Sequence, residues 1–215
     1  PPRSTLFPYT TLFRSLARQC PLPETLQEPP PYRRKCARRP EANEIYFFDK
    51  DAAQAHVRIE FGGPIYDAGR EAAVQLYNEY FAGGMAGIVF QELREARGLA
   101  YVAGARYVTG YRTGDEDLMI GGIQTQPDKA LEAVTAFIEL LDRMPASEER
   151  FALARDAMIN LYRTGKIGFR GVAGAVRGWE RQGLEPDPRA PWFSEIEGGG
   201  FDAVPGFQKS QIWGA

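Results

Sequence analysis

Proline and glycine are sorted along this chain, and that sorting limits where it can fold. Residues 1–40 hold nine of the 16 prolines and none of the 23 glycines. Glu28-Pro29-Pro30-Pro31, with Pro21, Pro23 and Pro40 scattered around it, excludes long helices and central strands there. Charge follows the same division. The first 40 residues carry eight basic and two acidic side chains, a net of +6, whereas 41–215 carry 18 and 26, a net of −8. Such a basic, proline-rich, glycine-free stretch reads as extended tail and linker over residues 1–42. The foldable domain is expected at 43–215.

Within the tail, TLFPYTTLFRS at 5–15 resembles the translation of a sequencing-adapter oligonucleotide, and is set aside from fold reasoning as a tag would be. The cluster Arg33-Arg34-Lys35 with Arg38-Arg39 reads as solvated linker charge. A nucleic-acid partner is not expected, because the folded part is acidic. No apolar run is long enough to span a membrane. No signal peptide is visible, and bacterial periplasm and cytoplasm both remain open. Both cysteines, Cys20 and Cys36, lie in the tail and define no disulfide framework.

The single histidine, His56, removes most hydrolytic chemistry from this chain. A zinc site built on several histidines is excluded, and any Ser–His or Cys–His catalyst would depend on His56. The alternation over Gln54–Phe61 places His56 with Arg58 and Glu60 on the polar side of a strand, so a surface role is expected.

The remaining pattern alternates pairs of extended runs with runs of helices. Glu44–Phe48 (EIYFF) is a short β-type run, and Gly62-Gly63-Pro64 should end the strand after it. Helices are expected at Arg70–Phe81 and Met85–Arg97, the second stopped by Gly98. Ala100–Thr109 and Asp117–Thr125 flank a glycine-bearing turn and should pair antiparallel. Asp115-Glu116-Asp117 in that turn reads as solvated. Pro127 opens a further helix, Ser147 caps the next, and another spans about Phe169–Gln182. Two short helical pieces close the chain. The order β-β-α-α-β-β-α-α-α indicates α+β, with helices on one face of a mostly antiparallel sheet. Gly83-Gly84-Met85-Ala86-Gly87 matches neither phosphate-binding fingerprint and reads as a tight loop.

The segment YFAGGMAGIVFQELREARGLAYVAGARY, Tyr80–Tyr107, resembles the C-terminal half of the pitrilysin/insulinase family of zinc metallopeptidases, which includes mitochondrial processing peptidase. More loosely, the likeness extends from about Asn43 to Phe207. It implies one α+β half, of the type shared by LuxS and processing peptidase, of a two-half clamshell that closes around a peptide. The other, N-terminal half carries an inverted His-x-x-Glu-His motif and the zinc. Zinc is thus implied for the complete enzyme, with no ligands in this chain. The implied partners are that zinc-bearing half, in the same chain or a separate subunit, and a peptide substrate. Arg94 and Tyr101, in their Leu93 and Leu99 context, match the arginine and tyrosine that face the scissile region in the family.

Without the resemblance, Arg94 pairing with a helix carboxylate and Tyr101 filling a strand position is the simpler reading. Two other functional readings stand beside the peptidase: a non-catalytic scaffold subunit of the same fold, and an unrelated α+β binding module. The resemblance also leads to the expectation of one further strand beyond Ile212-Trp213-Gly214-Ala215, and so of a fragment shortened at both ends.

Overall fold

The structure, a computed structural model, describes residues 14–15, 18–19, 27–28, 30–37, 40–184 and 187–212. Residues 5–13 of the adapter-like stretch, Cys20 and residues 213–215 lie outside the described residues. The molecule divides into two compact units, Pro1–Arg33 and Arg34–Ala215, and every element named below lies in the second.

Three antiparallel strands form the sheet: β1 (Ala55–Ile65), β2 (Val102–Val108) and β3 (Glu116–Thr125), in the order β1-β3-β2. In β3 the burial alternates strictly. Asp117, Met119, Gly121, Ile123 and Thr125 face the core, while Leu118, Ile120, Gly122 and Gln124 face outward. Helices cover the core side only. They are α1 (Glu71–Ala82), α3 (Ala130–Asp142), α4 (Glu148–Thr164), α5 (Val172–Arg181), α6 (Arg189–Gly198) and α7 (Ala203–Ile212). The short α2 (Ile88–Phe90) sits between α1 and β2 and continues directly into a π-helix, Gln91–Ala96. The fold is α+β, with the helices on one face of an antiparallel sheet.

The core collects the apolar face of α1 with Ile88, Val89 and Leu93, the inner face of the sheet, and Phe137, Leu141 and Phe207. Fit is close at Gly121, where a Cβ would stand 2.4 Å from the ring of Phe137. Caps behave as composition indicates. Ser147 accepts from the Arg150 N–H at 3.2 Å, and Pro127 opens the turn that leads into α3. The Gly83–Gly87 loop is tight, since a Cβ at Gly87 would lie 2.7 Å from the Ala82 backbone.

Four expectations are corrected. Glu44–Phe48 is neither strand nor helix, and its apolar side chains are exposed. A β-type run needs a neighbouring strand to form a ladder, and none lies beside it among the described residues. Strand β1 does not stop at Gly62-Gly63-Pro64 but runs to Ile65. An edge strand tolerates proline, and the pairing with β3 slips between Gly62 and Ile65. The Met85–Arg97 helix begins only at Ile88 and is π-helical over its second half.

The fourth correction concerns the acidic turn, which is not solvated. Asp115 and Asp117 are each 1% exposed. Asp117 accepts from the Gly110 N–H at 2.8 Å, the Arg70 guanidinium at 3.0 Å and the Tyr107 hydroxyl at 3.1 Å. Asp115 accepts from the Lys35 N–H at 2.9 Å, and the Glu116 N–H donates to the Lys35 carbonyl at 3.0 Å. Lys35, within the second unit, is therefore fastened to the acidic turn. Burial raises the Asp117 carboxyl above its ordinary value, against the opposing pull of its three donors.

Strand β2 lies at a sheet edge, and that edge is closed at Tyr107. The Asn78 side chain donates to the Tyr107 carbonyl at 2.9 Å and accepts its N–H at 2.7 Å. One amide thus stands in for a fourth strand.

Candidate functional site

The candidate site sits where the π-helix returns into β2. Leu93 and Leu99 are buried and anchor the two sides of this reversal. Between them Gly98 takes φ 58°, a left-handed value that glycine adopts without strain. The Leu99 N–H reaches the Leu93 carbonyl at 2.9 Å, and the Gly98 N–H reaches that of Arg94 at 3.1 Å. Each bond spans one residue more than its counterpart in a glycine-capped α-helix, as a π-helical turn requires. The segment after Gly98 is latched to the end of β3. Thr125 Oγ1 donates to the Leu99 carbonyl at 2.5 Å, and the Tyr101 N–H donates to the Gln124 carbonyl at 2.8 Å.

This backbone brings Arg94 and Tyr101 together. The Arg94 guanidinium lies 5.7 Å from the centre of the Tyr101 ring and 4.8 Å from that of Phe90. Its one ion pair among the described residues, Nε to Glu95 Oε1 at 3.6 Å, is exposed on both sides. Such a pair holds an arginine weakly. Tyr101 is 67% exposed, and its hydroxyl makes no hydrogen bond among the described residues. The Arg94 guanidinium, held only by Glu95, and the Tyr101 hydroxyl therefore lie side by side with donors that the fold leaves over. The neighbouring Glu92 and Arg97 are occupied elsewhere, with Arg150 at 3.9 Å and Glu139 at 3.4 Å.

Beside Tyr101 the outer face of the sheet carries a shallow groove of about 410 Å³. Its floor is the cross-strand pair Gly104 and Gly122, above which a Cβ would meet nothing within 4 Å. Val102 and Gln124 flank it near Tyr101, and His56 and Arg58 flank it on β1. His56 is exposed on the polar face, as expected, yet it borders a concavity that alternation alone could not indicate. The signal available in the sequence was the presence of glycines at outward positions of both β2 and β3.

The donors present do not suit zinc. The lone histidine stands among Arg58 and Gln124, and no three His, Cys, Asp or Glu side chains gather among the described residues.

The sequence profile described as the peptidase M16 inactive domain matches residues 11–158. The chain belongs to the peptidase M16 family. No curated protein matches it in sequence. Solved structures share its fold at low identity. The M16 inactive domain from Pseudomonas fluorescens is 18% identical, with a TM-score of 0.59 over 75% of this chain and 38% of its own. A protease from Helicobacter pylori is 14% identical, with a TM-score of 0.61 over 75% and 40%. A chain described as the inactive peptidase domain of a zinc protease from Bordetella parapertussis is 18% identical, with a TM-score of 0.58 over 78% and 91%. The M16 chain thus spans well under half of the first two and almost all of the third. It is an inactive M16 peptidase-like domain, as the Tyr80–Tyr107 resemblance implied.

Proposed function

We infer that this domain is the substrate-holding half of an M16 zinc metalloendopeptidase, and that Arg94 and Tyr101 hold the peptide. The reading rests on the pair's geometry: adjacent, exposed, with the guanidinium held only by an exposed Glu95 and the phenol unbonded among the described residues. A peptide lying along the outer face of the sheet would pass the glycine-floored groove and meet both side chains at its end. Arg94 offers a planar fork to a backbone carbonyl. The Tyr101 hydroxyl donates to a carbonyl oxygen as that oxygen gains charge during attack.

Zinc, the activated water and its general base are assigned to a partner half, in the same chain or in another, in keeping with the solved relatives described as zinc proteases. Hydrolysis then depends on assembly, and this chain alone turns over no peptide. The test is Arg94→Ala and Tyr101→Phe in the enzyme reconstituted with its zinc-bearing half. Turnover should fall by about a hundredfold in each, the scale of losing one oxyanion donor, while thermal stability stays unchanged. Full turnover in either variant would remove that residue from the site.

A further inference from the structure

Of the 18 basic side chains over residues 41–215, eight are held in ion pairs among the described residues, from Arg58 with Glu60 to Arg189 with Asp187. One stretch holds none of these eight. Between residues 166 and 177 the only charged side chains are Lys166, Arg170 and Arg177, and among the described residues none is paired with a carboxylate. They stand on a domain whose net charge is −8 over residues 41–215.

The same stretch exposes apolar surface. Phe169 is 83% exposed, and Val172 and Val176, one turn apart on α5, are exposed as well. Helix α5 buries none of its residues, although its apolar positions fall on one side. Among the described residues its hydrogen bonds to other elements lie at its C-terminal end, where the Thr113 N–H donates to the Arg181 carbonyl and Gln182 donates to that of Gly110, each at 2.9 Å. Those anchors lie past the end of β2 opposite to Tyr101, so this surface is separate from the Arg94–Tyr101 pair.

The loop that leads into this stretch, Lys166 and Ile167, also lines a cleft of about 770 Å³. Its walls are the end of α4 (Leu161, Tyr162), the loop carrying Lys166 and Ile167, and Ala190 and Phe193 of α6. The polar groups within it are already matched. The Tyr162 hydroxyl donates to Gln75 at 2.7 Å, Arg163 pairs with Glu197 at 3.1 Å, and Arg189 pairs with Asp187. Lys166 is the uncommitted charge on the rim.

We propose that this cleft and the basic face leading to α5 form a docking site for an acidic polypeptide segment bearing apolar side chains. Apolar residues of the segment fill the space between Ile167 and Phe193, and its carboxylates meet Lys166, Arg170 and Arg177. The concavity favours a chain over a flat bilayer, and the charge excludes a basic one.

The test titrates the purified chain into a fluorescein-labelled peptide of alternating Glu and Leu, read by anisotropy at low salt. Saturable binding is expected, with the matching Lys–Leu peptide at least about tenfold weaker. Affinity should fall at least about tenfold in K166E/R170E/R177E, clearly in F169D, and steadily with added salt. Lys209→Glu, on α7, should change it by less than about twofold. All three reversed side chains are solvent-facing, so the triple variant is expected to keep its melting curve. Absence of saturable binding, or binding unaffected by both K166E/R170E/R177E and F169D, overturns the proposal. So does retention of the chain by phosphatidylglycerol vesicles when the acidic peptide is not bound, which would make the face a lipid surface.

Discussion

Two arginine–tyrosine pairs stand at opposite ends of β2, and they have opposite fates. At one end Arg70 and Tyr107 both donate to Asp117, which is buried and also holds the Gly110 N–H. At the other, Arg94 lies over Tyr101, and the exposed Glu95 is its only carboxylate among the described residues. The residue types are the same, and the difference is one buried carboxylate. Where the fold supplies the acceptor, the pair is structural. Where it does not, the donors remain available to something that arrives.

The comparison is broken most readily at the structural end. Asp117→Ala should cost about 3–5 kcal/mol in urea unfolding, because it leaves Arg70 and the Tyr107 hydroxyl without their acceptor. Arg94→Ala and Tyr101→Phe should each change stability by less than about 0.5 kcal/mol. An equal effect at the two ends would mean that the Arg94–Tyr101 pair is part of the scaffold. Next come two adjacent glycines on β3. Gly121→Ala forces a methyl into Phe137 and should cost about 1–3 kcal/mol. Gly122→Ala points into the open groove and should leave the melting temperature nearly unchanged, while weakening peptide turnover in the reconstituted enzyme.

The smallest expected effect is a pH dependence. Burial raises both Asp117 and Glu71 above their ordinary values. Between the ordinary and the raised value the folded state binds more protons than the unfolded chain, so stability falls as pH rises through that window. The stability lost as pH rises above the ordinary carboxylate range should therefore shrink in Glu71→Gln, compared by urea midpoints. One Glu71 oxygen is buried without a hydrogen-bond partner, so the amide should be tolerated there. An unchanged slope would show that Glu71 does not contribute.

Much of this contrast was legible in sequence, though not evenly. Periodicity located β1 and α1, and the glycine-bearing turn between two extended runs located the antiparallel β2–β3 pair. Ser147 and Pro127 marked helix starts through local chemistry that tertiary context left alone. Position 117 was misread because acids beside a glycine turn are ordinarily solvated. The partners that bury Asp117 are Arg70, 47 positions earlier, and Tyr107 on the neighbouring strand, and no local pattern announces them. Glu44–Phe48 failed for the opposite reason: its propensity was right for a strand, but pairing depends on a neighbour. Arg94 and Tyr101 came from the family resemblance and not from any periodicity.

The π-helix at Gln91–Ala96 acts as a phase setting. Successive residues of an α-helix are turned by about 100° about its axis, so inserting or deleting one residue between Ile88 and Arg94 would swing the guanidinium a quarter turn or more around the helix. The wide turn absorbs one residue of slack while Leu93 and Leu99 stay seated in the core. Length changes in the Gly83–Gly87 loop are thereby separated from the direction in which Arg94 points. In this segment the spacing between Leu93 and Gly98 governs the site more strictly than the loop before it does.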